Sequence, residues 1–349
     1  MPIPRHSLTS LLLALSVLLT GCGESPRENT GGSTQASGDG EHPVTWRFAL
    51  EEIEGSVQHA YAQALKEKIE TVSDGDIVVE VFPYGSLGTS TQLTELTRNG
   101  SVNLAFASPG HLADSVPETG LFNLHFMLPA EPEVTREWLY SPDLLAAFRP
   151  AYKSAGLQLM GFVQEGWMAW TANKPLTTPA DFEGLKIRTM TSDIAASTLR
   201  AYGADPVQTP YSQVYSDLQL HRIDGQSNPV FAIEEMDFHE VQSHLTLPRA
   251  SRFISSLVAN PDWLGGLDEQ QQQWLKSAIA DVSGQAWDIA AELNQQRLEI
   301  MVERGDIQVV RLSDAQREAF RGASQPARDD YLEATGKRGQ KLLDLIPGE

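Results

Sequence analysis

The sequence predicts an α/β fold built as two lobes, with one long helix crossing both. Three observations lead there. Short apolar runs of strand type alternate with amphipathic helical stretches from Val44 onward, the pattern of parallel strands covered by helices. Of the 349 residues, roughly 300 lie in this patterned region, enough for two separate cores. Residues Leu267 to Arg304 form one helical stretch without proline. At 1.5 Å per residue it would run about 55 Å, longer than one lobe of this size needs.

The elements follow in order. Arg5 and His6 precede an apolar run from Leu8 to Leu19, too short to span a bilayer. This is the layout of a secretory signal, expected over residues 1–21. It ends in Leu19-Thr20-Gly21-Cys22, which resembles a bacterial lipobox, so Cys22 is expected to carry lipid. An ordinary cleaved signal with an incidental cysteine is the alternative. Residues 22–43 then read as the lipidated cysteine and a flexible tether, polar and without apolar period. Such a chain is anchored to a membrane and does not span it. With Cys22 the only cysteine, no intramolecular disulfide is available.

The folded region is expected over 44–349. Lobe one takes about 44–165 plus part of 255–349, and lobe two about 166–254. Val44–Leu50 is a strand ending in Glu51-Glu52. Ser56 caps a helix with apolar positions Val57, Tyr61, Ala64, Leu65 and Val72. Ile77–Phe82 is a strand stopped by Pro83, and a helix near Thr91–Arg98 stops at Asn99-Gly100. Val102–Ala107 and Leu157–Val163 are further strands. Thr178-Pro179-Ala180-Asp181 is a capping box with proline at the first helical position. Leu185–Thr189 is a strand, Ile194–Tyr202 a helix closed by Gly203, and Asp205–Gln208 a connection. A helix near Gln213–Leu220 leads to Ile223-Asp224-Gly225. In the long helix the apolar stripe is Leu267, Trp274, Leu275, Ile279, Val282, Trp287, Ile289 and Leu293.

The net charge of −20 argues against nucleic acid as a partner. A nucleophile elbow, a phosphate-cradling loop and a dinucleotide fingerprint are all absent, so no enzyme is predicted. In His239-Glu240-Val241-Gln242-Ser243-His244, serine stands where a zinc protease needs its second histidine. The other histidines are scattered, and neither a metal nor any other cofactor is expected. Polar residues do gather just past the predicted strand ends, where open parallel sheets bind ligands. They are Glu51, Glu52, His111, Arg188, Tyr211 and Asn228. Arginine suits a carboxylate because its planar fork donates two parallel hydrogen bonds.

Three segments carry a resemblance. Val79-Glu80-Val81-Phe82-Pro83-Tyr84-Gly85-Ser86-Leu87-Gly88, Gly184-Leu185-Lys186-Ile187-Arg188-Thr189-Met190, and Val214 to Gln219 followed by Ile223-Asp224-Gly225-Gln226-Ser227-Asn228-Pro229 are similar to motifs of the TRAP-transporter solute-binding proteins, in order and spacing. The resemblance covers about Trp46 to the C-terminus. It implies a two-lobed fold of periplasmic-binding-protein type that closes on a small organic acid and delivers it to a sodium-coupled membrane permease. It implies further that Arg188 grips the carboxylate and Asn228 donates a second hydrogen bond. Many members carry another arginine where this chain reads Gly166-Trp167-Met168, and Met168 in that place argues against a ligand held by two arginines. The ectoine-binding branch also has methionine there, and it shares an opening like Trp46-Arg47-Phe48-Ala49 with Glu51-Glu52 and Glu54-Gly55. That likeness implies that Glu52 meets a cationic ring and that Phe253 lines the ligand, with Trp167 and Met168 nearby. This chain departs from the branch at His111, Tyr211, Ala232 and Arg252, where the branch has large aromatics. Ectoine is the leading specific expectation, with another monocarboxylate as the alternative ligand. The alternative is a sensing protein of the same fold that docks on a signalling receptor.

Overall fold

The computed structural model describes residues 43–305 and 307–348. The signal peptide, the lipidated Cys22 and the tether expected before Val44 lie outside the described residues, Pro43 apart. The strands are β1 (Val44–Ala49), β2 (Ile77–Phe82), β3 (Leu104–Ala107), β4 (Gln158–Ala172), β5 (Lys186–Thr189), β6 (Asp205–Gln208), β7 (Gly225–Pro229), β8 (His244–Leu247), β9 (Arg252–Ala259) and β10 (Gln308–Arg311). The helices are α1 (Val57–Val72), α2 (Ser90–Arg98), α3 (Pro109–Leu112), α4 (Pro132–Leu139), α5 (Pro142–Ser154), α6 (Asp193–Ala201), α7 (Val214–Gln219), α8 (Val230–Glu235), α9 (Pro261–Gly266), α10 (Glu269–Arg304), α11 (Asp314–Ala323) and α12 (Gln325–Leu343). None of the described helices is long and apolar enough to cross a membrane.

Strand periodicity places the core. Along β1, Trp46 and Phe48 are fully buried while Thr45 and Arg47 face water. The main path of the sheet runs β2-β1-β3-β9-β4-β7-β5-β6, with β8 beside β4 and β10 beside β8. The expectation of wholly parallel sheets is only half right. β1, β2 and β3 pair in parallel, as do β5, β6 and β7, but β9 and β4 are antiparallel to their neighbours. The reason is the chain path: β4 leaves the first parallel group for the second and β9 returns, so the two lie side by side in opposite directions.

Two strands differ from expectation. The strand predicted over Leu157–Val163 continues as β4 to Ala172. Gln164, Glu165 and the glycines Gly161 and Gly166 interrupt its apolar run and mask the continuation. The register shifts at both glycines, and Gly166 has φ +133°. A Cβ at Gly166 would lie 2.5 Å from the Asn294 side chain, so glycine is required there. Asp205–Gln208, read as a connection, is β6. It pairs only with β5 at the sheet edge, which is why it tolerates Pro206.

Helix signals fare better. Ser56 accepts from the His59 backbone at 3.1 Å, capping α1. Ile69 closes its buried stripe, whereas Val72 is exposed. The long helix α10 is capped by Asp268, which accepts from Gln271 N at 2.7 Å, and ends at Gly305 in the left-handed region. It packs on α1 and on α8, and so on both halves of the sheet. Leu275, Ile279, Val282 and Trp287 are buried, while Trp274 and Leu293 are only half-buried. His239 sits in a 3₁₀ turn (Phe238–Glu240) and His244 on β8, so the two share no helix face.

Candidate functional site

Seven of the expected residues, Glu51 among them, line one cleft. Glu52 follows β1, and His111 lies in α3 just after β3. Arg188 is on β5, Tyr211 opens the 3₁₀ turn after β6, Asn228 is on β7 and Phe253 on β9. Glu51, Ser90, Ser108 and Met190 complete the lining. Arg188, Met190 and Phe253 also wall an adjoining chamber that includes Met168, His125 and Trp170. Trp167 is not brought to the cleft. Its indole lies against the Arg252 guanidinium, 3.9 Å from the ring centre, and borders a groove beside α10. Neighbouring residues on a strand point to opposite faces, which separates Trp167 from the cleft.

Arg188 is the strongest feature. It is 2 % exposed. Its Nε donates to the Thr209 carbonyl at 3.0 Å, and its buried Nη2 has no partner among the described residues. Burial holds the guanidinium down to about 10, against a small opposing effect of the Tyr211 and Tyr84 hydroxyls. A buried guanidinium with an idle donor and no carboxylate is costly unless an anion is meant to meet it. Asn228 gives one amide hydrogen to Gln226 Oε1 at 2.5 Å, which leaves its second amide hydrogen available. His111 has a buried Nδ1 with no partner among the described residues. Burial, helped by Arg188, lowers its pKa to about 4, so the ring is neutral near pH 7.

The opposite wall is acidic and buried. Glu51 accepts from Ser108 N at 2.8 Å, yet burial still raises its carboxyl to about 8. Glu52 stands well above the usual carboxylate range, through burial and then through the neighbouring Glu165. Glu165 on β4 is fully buried, and its Oε1 accepts from Gln58 Nε2 at 3.1 Å. Tyr211 closes the cleft with its ring edge-on to Tyr84, centroids 5.7 Å apart.

The sequence reading missed Glu165, Tyr84, Met190 and Gly110. Tyr84 was visible inside the Pro83-Tyr84-Gly85 turn, whereas Glu165 sits where no strand was expected. Gly110 in α3 touches the far wall. A Cβ there would lie 2.4 Å from Met190 Sδ and 2.5 Å from Met190 Cβ. Thr191 Oγ1 donates to the Gly110 carbonyl at 2.6 Å. Only glycine permits this approach.

The profile of DctP, the bacterial extracellular solute-binding proteins of family 7, matches residues 48–334. The chain is 36% identical over 310 residues to the ectoine-binding periplasmic protein TeaA of Halomonas elongata, covering 87% of this chain and 89% of TeaA. It is 33% identical over 324 residues to the ectoine/5-hydroxyectoine-binding periplasmic protein UehA of Ruegeria pomeroyi, covering 91% and 94%. A TRAP periplasmic solute-binding protein from Marinobacter aquaeolei VT8, solved in an apo open form, superposes with a TM-score of 0.84 at 64% identity, covering 87% of this chain and all of that one. The structure of TeaA superposes with a TM-score of 0.83 at 34% identity, covering 86% of this chain and 97% of TeaA. These relatives are binding receptors rather than enzymes. The chain belongs to the DctP family of bacterial extracellular solute-binding proteins, as a TRAP-type periplasmic receptor similar to the ectoine-binding members.

Proposed function

We propose that this receptor binds a small zwitterionic carboxylate of the ectoine kind and delivers it to a sodium-coupled TRAP permease. The observation that carries the reading is Arg188, a buried guanidinium with an idle donor, facing a cleft whose other wall holds the buried Glu52. Arg188 takes the carboxylate as a bidentate fork, and Asn228 adds a hydrogen bond. Glu52 meets the positive group. Tyr211, Phe253 and neutral His111 enclose the ring, and Met168 borders it from the adjoining chamber. Trp167 supports Arg252 instead. Glu52 and His111 belong to the lobe of residues 44–165, and Arg188, Tyr211 and Asn228 to that of residues 166–254, so ligand draws the lobes together as a clamp.

A melting-temperature screen with ectoine, 5-hydroxyectoine and succinate tests the ligand class. Ectoine at a hundredfold over its Kd should add about 2.7 kcal/mol of stability. A rise with succinate and none with ectoine rejects the zwitterion reading. We also place the protein in the periplasm as a lipoprotein held by Cys22. Cys22→Ser should leave the membrane fraction or remain an uncleaved precursor, and undiminished lipid labelling of that variant counts against the anchor.

A further inference from the structure

The cleft contains more carboxyl groups than one cation requires. Glu52 lies at its surface and Glu165 directly behind, and Gln58 of α1 touches both. Its backbone N–H points to Glu52 Oε2 at 3.5 Å, and its amide donates to Glu165 Oε1 at 3.1 Å. Glu165 Oε2 has no donor among the described residues. Both groups are buried, at 6 % and 0 % exposure. Two buried carboxyl groups that neighbour each other through one glutamine disfavour ionising together.

The charges around them do not relieve this. Glu51 approaches from the end of β1 and Glu235 from α8, both acidic. Arg297 of α10 is engaged with Glu234 at 3.0 Å and Glu235 at 3.4 Å. Tyr211 is a neutral phenol, and His111 and Arg188 stand among the other cleft residues. Neither Glu52 nor Glu165 forms an ion pair among the described residues.

We infer that Glu165 is a positioning residue for ligand selection: with Glu52 it holds one proton in the empty cleft, and the pair exchanges that proton for the positive group of the ligand. The inference rests on the zwitterion reading above. The exchange balances, with one ligand cation entering, one proton leaving to bulk water, and both carboxylates then ionised against the cation. The sign follows from the raised carboxyls. The empty protein binds more protons than the liganded one, so affinity rises with pH until the empty pair itself loses its proton. Below that point the slope is about tenfold per pH unit. A lone Glu52 would ionise more readily and carry less of this dependence.

Calorimetry with ectoine in buffers of different ionisation enthalpy tests it. The wild-type protein should release about one proton per ligand on the acid side of the profile. Glu165→Gln should release less than half as much and flatten the pH dependence, whereas Glu165→Asp, which keeps the acid, should restore both. A merely structural role for Glu165 would shift affinity at all pH values equally and leave the proton count unchanged, which overturns the inference. Proton release by Glu165→Gln at the wild-type level does the same. The wild-type count stands without any variant: ectoine bound with no proton released also refutes it. No ectoine binding by the wild-type protein is a distinct result, which rejects the zwitterion reading itself.

Discussion

Arg188→Met is expected to weaken ligand binding by about 3 kcal/mol, more than a hundredfold, while leaving the empty protein at least as stable as wild type. The two halves of this expectation come from one fact. The guanidinium is buried, its Nε donates to the Thr209 carbonyl, and its Nη2 has no partner among the described residues. Holding its pKa down to about 10 corresponds to roughly 3 kcal/mol against the charged form. Removing it relieves that cost and forfeits one hydrogen bond, on the order of 1 kcal/mol. With ligand present, the buried carboxylate loses its only proposed counter-charge. Arg188→Lys keeps the charge but not the fork, and should cost about 2 kcal/mol. The competing account is that Arg188 merely ties β5 to the Thr209 carbonyl. It predicts a lower melting temperature and unchanged affinity, so calorimetry and melting on the same variants decide between them.

Gly110→Val should weaken binding by about 2 kcal/mol, roughly thirtyfold, without touching any group proposed to contact ligand. The branched side chain would have to occupy the space of Met190 Sδ and Cβ. Met190 Cβ is fixed to the backbone, so the two walls must part. The Thr191 to Gly110 hydrogen bond is lost with them. The variant should rest with those walls apart while its core stays packed. Small-angle scattering should then show the compaction on ligand binding that wild type undergoes to be reduced in the variant. Wild-type affinity in a normally folded Gly110→Val protein would mean that the walls need not meet for binding.

Much of this was readable from residue order alone, for identifiable reasons. Ser56, Asp268 and Gly305 act within one helical turn, so local chemistry settles those ends. Arg188, Asn228 and Tyr211 stand beside segments whose types and spacing are distinctive, and the structure gathers them in one cleft. What stayed hidden depends on distant partners. β4 contains Gln164, Glu165 and Gly166, a poor strand by propensity, and it exists because β9, β7 and β8 supply hydrogen bonds on its edges. Glu165 was lost with that strand. Trp167 was placed by likeness of sequence, but strand alternation turns it toward Arg252. Met190 and Gly110 matter only because they touch across 80 positions of chain, and no local pattern signals such a meeting.

β4 carries a last consequence. It pairs with β9 as far as Trp167 and with β7 from Met168 onward, so it joins the second parallel group to β9, which itself pairs with β3 of the first. Without it β7 loses its antiparallel neighbour and β9 loses the partner on its other edge. Among the described residues the sheet therefore offers no point between the groups where one could melt without breaking the pairing of β4 with β9 or with β7. For about 300 residues this is unusual, since chains of that size commonly unfold in stages. Here heat or denaturant should meet one cooperative unit, and a ligand seated in a single cleft protects backbone amides at both ends of the sheet together.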